Sequence, residues 1–194
     1  LEKMREFIYF SPRGRTSGNF DDMMKAGRLD IAVNVIIAAF FLSKRRREDV
    51  LFHLVLNGPP DPPKHLEFDS REQIPFSKKD IDGLFKRMLY KYKQGTRARA
   101  FDGCYVEKKS FQQVVRELAD SGRKLYLLDG KGQDIRDAEL EKDPVFILGD
   151  HEGLNKVDIK FAKRYAKTIS VGPDTYFASQ VVVLVQNELD RRGL

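Results

Sequence analysis

Three glycine-bearing turns in the last third of this 194-residue chain carry its strongest chemical signal. Val145–Leu148 runs into Gly149-Asp150-His151-Glu152-Gly153, and Thr168–Val171 runs into Gly172-Pro173-Asp174. Upstream, Lys124–Leu128 runs into Asp129-Gly130-Lys131-Gly132. Each apolar run has strand length, and in α/β sheets ligands bind beyond the carboxyl ends of strands, where such turns converge. Glycine there admits a ligand close to the backbone, although glycine also ends many strands for ordinary turn reasons. Three such turns close together point to one shared pocket.

Other schemes find no support. The chain has no dinucleotide fingerprint, no phosphate-cradling loop with its lysine, and no nucleophile elbow. Asp129–Asp134 resembles a calcium loop only superficially: Lys131 and Gln133 stand where oxygen ligands are wanted, and a plain turn is expected. His151 reads as a local hydrogen-bonding group. Cys104 reads as inert, because the sequence offers it no partner base. One cysteine and three histidines leave no disulfide framework and little for structural zinc, so no metal is expected.

Lys and Arg total 35 against 29 Asp and Glu, a net charge of +6 that favours an anionic partner, nucleic acid first. The cations cluster in Lys44–Arg47, in Lys86–Lys93 with Tyr90 and Tyr92 interleaved, in Arg97 and Arg99, and upstream in Arg13, Arg15 and Arg28. Each run alone is an ordinary solvated face; together with tyrosines able to stack on bases they suit RNA. With 41% hydrophobic residues the chain is able to build a core, which argues against disorder. The longest apolar run, Ile31–Leu42, is about a dozen residues where a membrane span needs about 20. The N-terminus has no signal-peptide pattern, so a cytoplasmic location is expected. Leu1 is no initiator, so the native start is expected at Met4, with one domain over residues 4–194.

The elements that must position these residues alternate. Phe7–Phe10 and Val50–Leu56 read as strands, the second apolar on both faces as in a covered parallel sheet. Ile31–Leu42 reads as a buried helix capped by Asp30, and His65–Phe68 as a short edge strand. Helices are predicted from Ser77 to about Lys93, over Phe111–Asp120 behind Ser110, over Leu154–Lys167 and over Thr175–Arg192. Residues 95–103 read as a basic loop. The whole predicts an α/β fold with a mostly parallel sheet flanked by helices.

VFILGDHEGL (145–154) followed by TISVGPDTYFASQ (168–180) resembles the SPOUT superfamily of RNA methyltransferases. Met4–Phe7, Gly27-Arg28-Leu29-Asp30, Ala39–Ser43 and Gly58-Pro59-Pro60 resemble, within it, the archaeal tRNA pseudouridine-54 N1-methyltransferase family, over essentially 4–194. The resemblance implies a C-terminal trefoil knot within 124–194, a homodimer, tRNA as partner, and S-adenosylmethionine as cofactor. Matched position by position, it implies cofactor contacts at Leu128, Gly149, Val171, Gly172, Pro173, Asp174, Thr175, Tyr176 and Val181. Where relatives often carry histidine, asparagine and cysteine, this chain reads Phe177-Ala178-Ser179-Gln180-Val181, so a role needing that thiol is not expected.

Within this resemblance Arg28 is the candidate to stabilise a developing anion or hold phosphate, against simple pairing with Asp30. Asp30 is the candidate to orient the base or accept its proton, against a helix cap. Two rivals stand beside the tRNA reading: the same chemistry on a pseudouridine of ribosomal RNA, and a non-catalytic RNA-binding module of the same fold.

Overall fold

The computed structural model describes residues 3–194; Leu1 and Glu2, and with them most of the expectation about the native start, lie outside the described residues. Along the chain run β1 (Arg5–Ser11), α1 (Leu29–Phe40), β2 (Val50–Leu56), β3 (Lys64–Asp69), α2 (Ile81–Tyr90), β4 (Ala98–Phe101) and β5 (Cys104–Glu107). There follow α3 (Phe111–Asp120), β6 (Leu125–Asp134), β7 (Val145–Gly149), α4 (Lys156–Ala162), β8 (Ala166–Ser170) and α5 (Ala178–Arg192).

The strands form one sheet in the order β4-β5-β3-β2-β1-β7-β6-β8. From β2 to β8 every pairing is parallel, and β3, β5 and β4 extend the sheet antiparallel. Apolar residues on both faces of β1 explain its central place. Phe7 and Tyr9 pack with α1, α2 and α5, while Ile8 and Phe10 pack with α3 and α4. A strand buried on both sides must read as a continuous apolar run, and β1 and β2 do. In α1, Leu29, Ala32, Val35, Ile36, Ala39 and Phe40 are buried at helical spacing. Gln186 of α5 donates from Nε2 to the Ala39 carbonyl at 2.9 Å, which fixes the α1–α5 contact.

Several expectations need correction. Strand β3 is interior, because the segment expected to be a basic loop supplies β4 and, with β5, covers its outer edge. Strand β6 continues through the expected turn: its pairing with β8 breaks after Leu128 and resumes at Gln133↔Ile169. Gly132 permits this, since a Cβ there would lie 2.5 Å from the Ile169 nitrogen. Helix α4 stops at Ala162, and Ala166 and Lys167 enter β8. Helix α2 begins at Ile81, after Asp80 as its N-cap, rather than at Ser77, and α1 ends at Phe40 rather than Leu42.

The basic runs are also partly spent on structure. Arg47 is 5% exposed and paired with Asp190, and Arg97 and Arg99 pair with Glu67 and Glu72. Tyr92 lies beneath the Lys64 ammonium, 3.9 Å from the ring centre, so it is no free stacking platform; Tyr90 is exposed. Cys104 is fully buried, and burial pushes its thiol up to about 12, the inert state expected of it. Among the described residues no helix is long and apolar enough to cross a membrane.

Candidate active site

The C-terminal ends of β6, β7 and β8 open into one cleft of about 830 Å³, lined by all three glycine-bearing turns. The amino end of α1 closes its other side through Arg28, Asp30, Ile31 and Asn34. The placement follows from sheet topology, because parallel strands deliver their outgoing turns to a common edge.

Local chemistry shapes each wall. In the β7 turn, Gly153 donates its N–H to the Asp150 carbonyl at 2.9 Å, and Glu152 donates its N–H to Asp150 Oδ1 at 3.0 Å. A Cβ on Gly149 would sit 2.6 Å from the Gly153 carbonyl carbon and the Leu154 nitrogen, so only glycine lets the turn fold back this tightly. After β8, the Ser170 hydroxyl donates to the Gly172 carbonyl at 3.0 Å. The Gln180 side chain then caps α5 by accepting the Phe177 N–H at 3.0 Å.

On the opposite wall, Gly27 has φ +74, and a Cβ there would fall 1.8 Å from the Arg13 carbonyl oxygen. Only glycine fits against that loop. Arg28 follows at φ 60, the left-handed region, and serves as the N-cap of α1 with no side-chain capping bond. Asp30 is therefore not the cap. It lies in the first turn, where its charge suits the helix dipole. Backbone bonds from the preceding turn already serve the entry: Leu29 N–H reaches the Met23 carbonyl at 3.0 Å, and Arg28 N–H reaches Met24 at 3.3 Å.

Arg28 and Asp30 form a bidentate pair, Nε–Oδ1 at 2.9 Å and Nη2–Oδ2 at 3.0 Å, and both line the cleft. The hydrogen bonds from Arg28 hold the Asp30 carboxyl below its ordinary range. Asp150, buried in the β7 turn, is raised by that burial. Two carboxylates on one cleft are thus tuned in opposite directions.

Of the residues implied as cofactor contacts, Leu128, Gly149, Val171, Gly172, Asp174, Thr175, Tyr176 and Val181 line the cleft. Pro173 lies between two lining residues but is not itself in the wall, being exposed in the turn. Sequence reading did not single out Ile31 and Asn34, which line the cleft, and placed Asp150 in its turn without a role. The Tyr9 phenol is buried without a hydrogen-bond partner, and burial raises its pKa, with Asp150 and Asp30 adding to the effect. A tyrosine inside an aromatic strand reads as core, so no sequence signal marks it.

The cleft suits an amphipathic cationic ligand. Leu127, Leu128, Leu148, Ile159, Val171 and Val181 give it apolar walls, and the backbone of three turns and five acidic residues give it polarity. Comparison with known proteins agrees. Residues 4–194 match the family model described as "Putative SAM-dependent RNA methyltransferase", and the chain belongs to that family. A tRNA (pseudouridine(54)-N(1))-methyltransferase of Methanococcoides burtonii is 36% identical, over 97% of this chain and 96% of that protein. The protein of the same name from Methanocaldococcus jannaschii is 33% identical, over 98% of both. Among solved structures, Archaeoglobus fulgidus Nep1 bound to S-adenosylhomocysteine superposes with a TM-score of 0.66 over 99% of this chain and all of that one. At 14% identity, it shows the shared SPOUT-type fold.

Proposed function

We propose that the chain transfers a methyl group from S-adenosylmethionine to N1 of pseudouridine 54 in the T-loop of tRNA. The observation that carries this reading is the single cleft in which three strand-end turns meet Arg28 and Asp30. The names of the full-length relatives support the choice of base and position.

The cofactor supplies a methyl group on a cationic sulfonium. Pseudouridine is joined to ribose through carbon, which leaves N1–H free; the new N–C bond forms as that proton leaves and the methyl–sulfur bond breaks. The apolar wall from Leu127, Leu128, Val171 and Val181 excludes water, and the turn backbones fix the ligand's orientation. Arg28 offers donors toward negative charge developing on the base. Asp30, kept ionised by Arg28, is suited to orienting the base. Asp150, raised by burial, is the better matched of the two to receive a proton. Leu128, Gly149, Val171–Tyr176 and Val181 are the proposed cofactor contacts, Pro173 acting by shaping the turn.

The continuous sheet supports one domain over 4–194, with 124–194 as the proposed knotted, cofactor-binding part, and a tRNA-modifying activity is consistent with a cytoplasmic location. A homodimer through α5 is supported by Phe177, Val183 and Leu184, apolar side chains left 77%, 53% and 37% exposed. Val183→Asp combined with Leu184→Asp is expected to convert a dimer into a monomer in light scattering; an unchanged mass would remove this interface.

Exposed cations remain at Arg13, Lys25 and Lys44, Arg13 meeting Glu152 at the cleft rim. Binding to tRNA is expected to weaken steeply with salt, log K falling linearly with log salt concentration. A salt-independent affinity would exclude a phosphate-contacting surface. The function itself is tested by calorimetric titration with S-adenosylmethionine: one saturable site per chain is expected, weakened by Gly149→Val. Absence of binding would return the fold to a non-catalytic role.

A further inference from the structure

The sheet face that carries Ile8, Phe10 and Val55, turned away from α1 and α5, holds a second cluster of chemistry-bearing side chains that the proposed reaction does not use. It lies over the junction of the parallel and antiparallel halves. Glu6 comes from β1, His53 from β2, His65 and Glu67 from β3, and Glu107 from β5. Strand register assembles them, with His53 opposite Glu67 and His65 opposite Glu107. Glu6, His53 and His65 are all at least 95% buried, and none of the five lines the cleft.

The hydrogen-bond pattern defines an unmet requirement. His53 Nε2 lies 3.2 Å from Glu6 Oε2, and His65 Nδ1 lies 3.1 Å from Glu107 Oε1. A carboxylate only accepts, so each of these outer nitrogens carries the imidazole's N–H. A neutral imidazole has only one. The inner nitrogens, His53 Nδ1 and His65 Nε2, are then two lone pairs facing each other across 2.9 Å. An electrophile between them resolves the conflict.

A bridging proton would satisfy those two atoms alone. It leaves Glu67 Oε2, 3.8 Å from His53 Nδ1, too far away for a hydrogen bond. A metal ion serves all three, since the ligand atoms of His53, His65 and Glu67 lie within 4.8 Å of one another. We infer that His53, His65 and Glu67 form a divalent transition-metal site of the Zn²⁺ class, bridging β2 and β3.

The surroundings fit such an ion. Each histidine presents one nitrogen inward and gives its other N–H to a carboxylate, the outer arrangement that fixes tautomer and ring orientation in metal sites. Those carboxylates are themselves held, Glu6 by Arg123 at 2.5 Å and Glu107 by Lys109 at 2.9 Å. Two imidazoles, borderline ligands, with one carboxylate suit Zn²⁺, Co²⁺ or Ni²⁺, with water free to complete a tetrahedron. Zn–N bonds of about 2.1 Å set two nitrogens about 3.4 Å apart, so the rings need to part by about half an ångström. The sequence reading expected no metal because one cysteine and three histidines leave little for structural zinc; strand register brings His53, His65 and Glu67 together.

The test uses the full chain without an affinity tag, treated with chelator and titrated with Co²⁺ alone. One equivalent is expected to bind, with the visible absorption of a four-coordinate ion, and Zn²⁺ is expected to displace it. Glu107→Gln removes an outer partner and is expected to weaken Co²⁺ binding about 10- to 100-fold. Glu67→Gln removes a ligand and is expected to weaken it at least as much, while His65→Asn loses the band altogether. The two glutamate positions are less deeply buried than His65, so they keep the test decisive should His65→Asn unfold. No binding at millimolar Co²⁺, or equal binding by wild type, Glu67→Gln and Glu107→Gln, overturns the site. Neither result depends on methyl-transfer activity.

Discussion

Arg28→Gly is expected to lower methyl transfer about 100- to 1,000-fold, the usual loss when one anion-stabilising donor is removed, while affinity for S-adenosylmethionine changes little. Glycine is the informative replacement. Arg28 occupies the left-handed region at φ 60, which glycine adopts freely and alanine resists. The substitution therefore removes the guanidinium without disturbing the entry into α1. It also frees Asp30 from the hydrogen bonds that depress its pKa, so any residual activity should show an altered acid limb in its pH profile. Single-turnover rates on pseudouridine-containing tRNA measure the effect. Wild-type rates from a folded Arg28→Gly chain would show that the pair with Asp30 is structural only.

The largest expected loss of stability follows Asp190→Ala. Asp190 accepts from Arg5 Nη1 at 2.7 Å and from Arg47 Nη1 and Nη2 at 2.8 and 2.7 Å. Both arginines are 5% exposed. Arg5 keeps Gln186 and Asp49, but Arg47 loses its carboxylate and is left as a buried, uncompensated charge. Removing one partner of such a group costs about 3 kcal/mol, or roughly 10 °C in Tm for a chain of this size. The same network predicts acid sensitivity. Hydrogen bonds from Arg47 hold Asp190 down to about 2, below its unfolded value near 3.9. A depressed carboxylate contributes stability above the unfolded pKa and loses it as pH falls toward the folded one. Stability should therefore decline between about pH 4 and pH 2, and less steeply in Asp190→Ala. Thermal melts across that range read both effects.

Much of the architecture was legible in the chain because period and burial coincide. The runs in β1, β2 and β7 are apolar on both faces, as only central strands are, and α1 and α3 keep strict helical spacing. What failed was decided by partners distant in sequence. His65–Phe68 looked like an edge strand, yet its burial depends on β5, which sequence reading had not assigned. The 129–134 segment has the glycines of a turn, but Gly132 is needed for close approach to Ile169. Asp30 has the right residue type for a cap and the wrong position by two residues, since the cap is Arg28.

The site was legible wherever it is made of turns. Gly149 and Gly172 mark strand ends by residue type alone, and the prediction that their turns share a pocket matches the single cleft. Pro173 adjoins the wall without lining it, and a turn residue beside a wall is indistinguishable in sequence from one within it. The titration of Tyr9 and Asp150 was not legible, since burial, not spacing, shifts both. The basic runs misled for the same reason: a sequence counts Arg47 as surface charge, whereas the fold consumes it against Asp190.

Incubating the protein with S-adenosylmethionine and tRNA transcripts that carry either pseudouridine or uridine at position 54, followed by mass spectrometry of the digested nucleosides, puts the proposed reaction to its most direct test. One methyl group on pseudouridine 54 and none on the uridine transcript is the predicted result. Methylation of both transcripts, of another position, or of neither would contradict it.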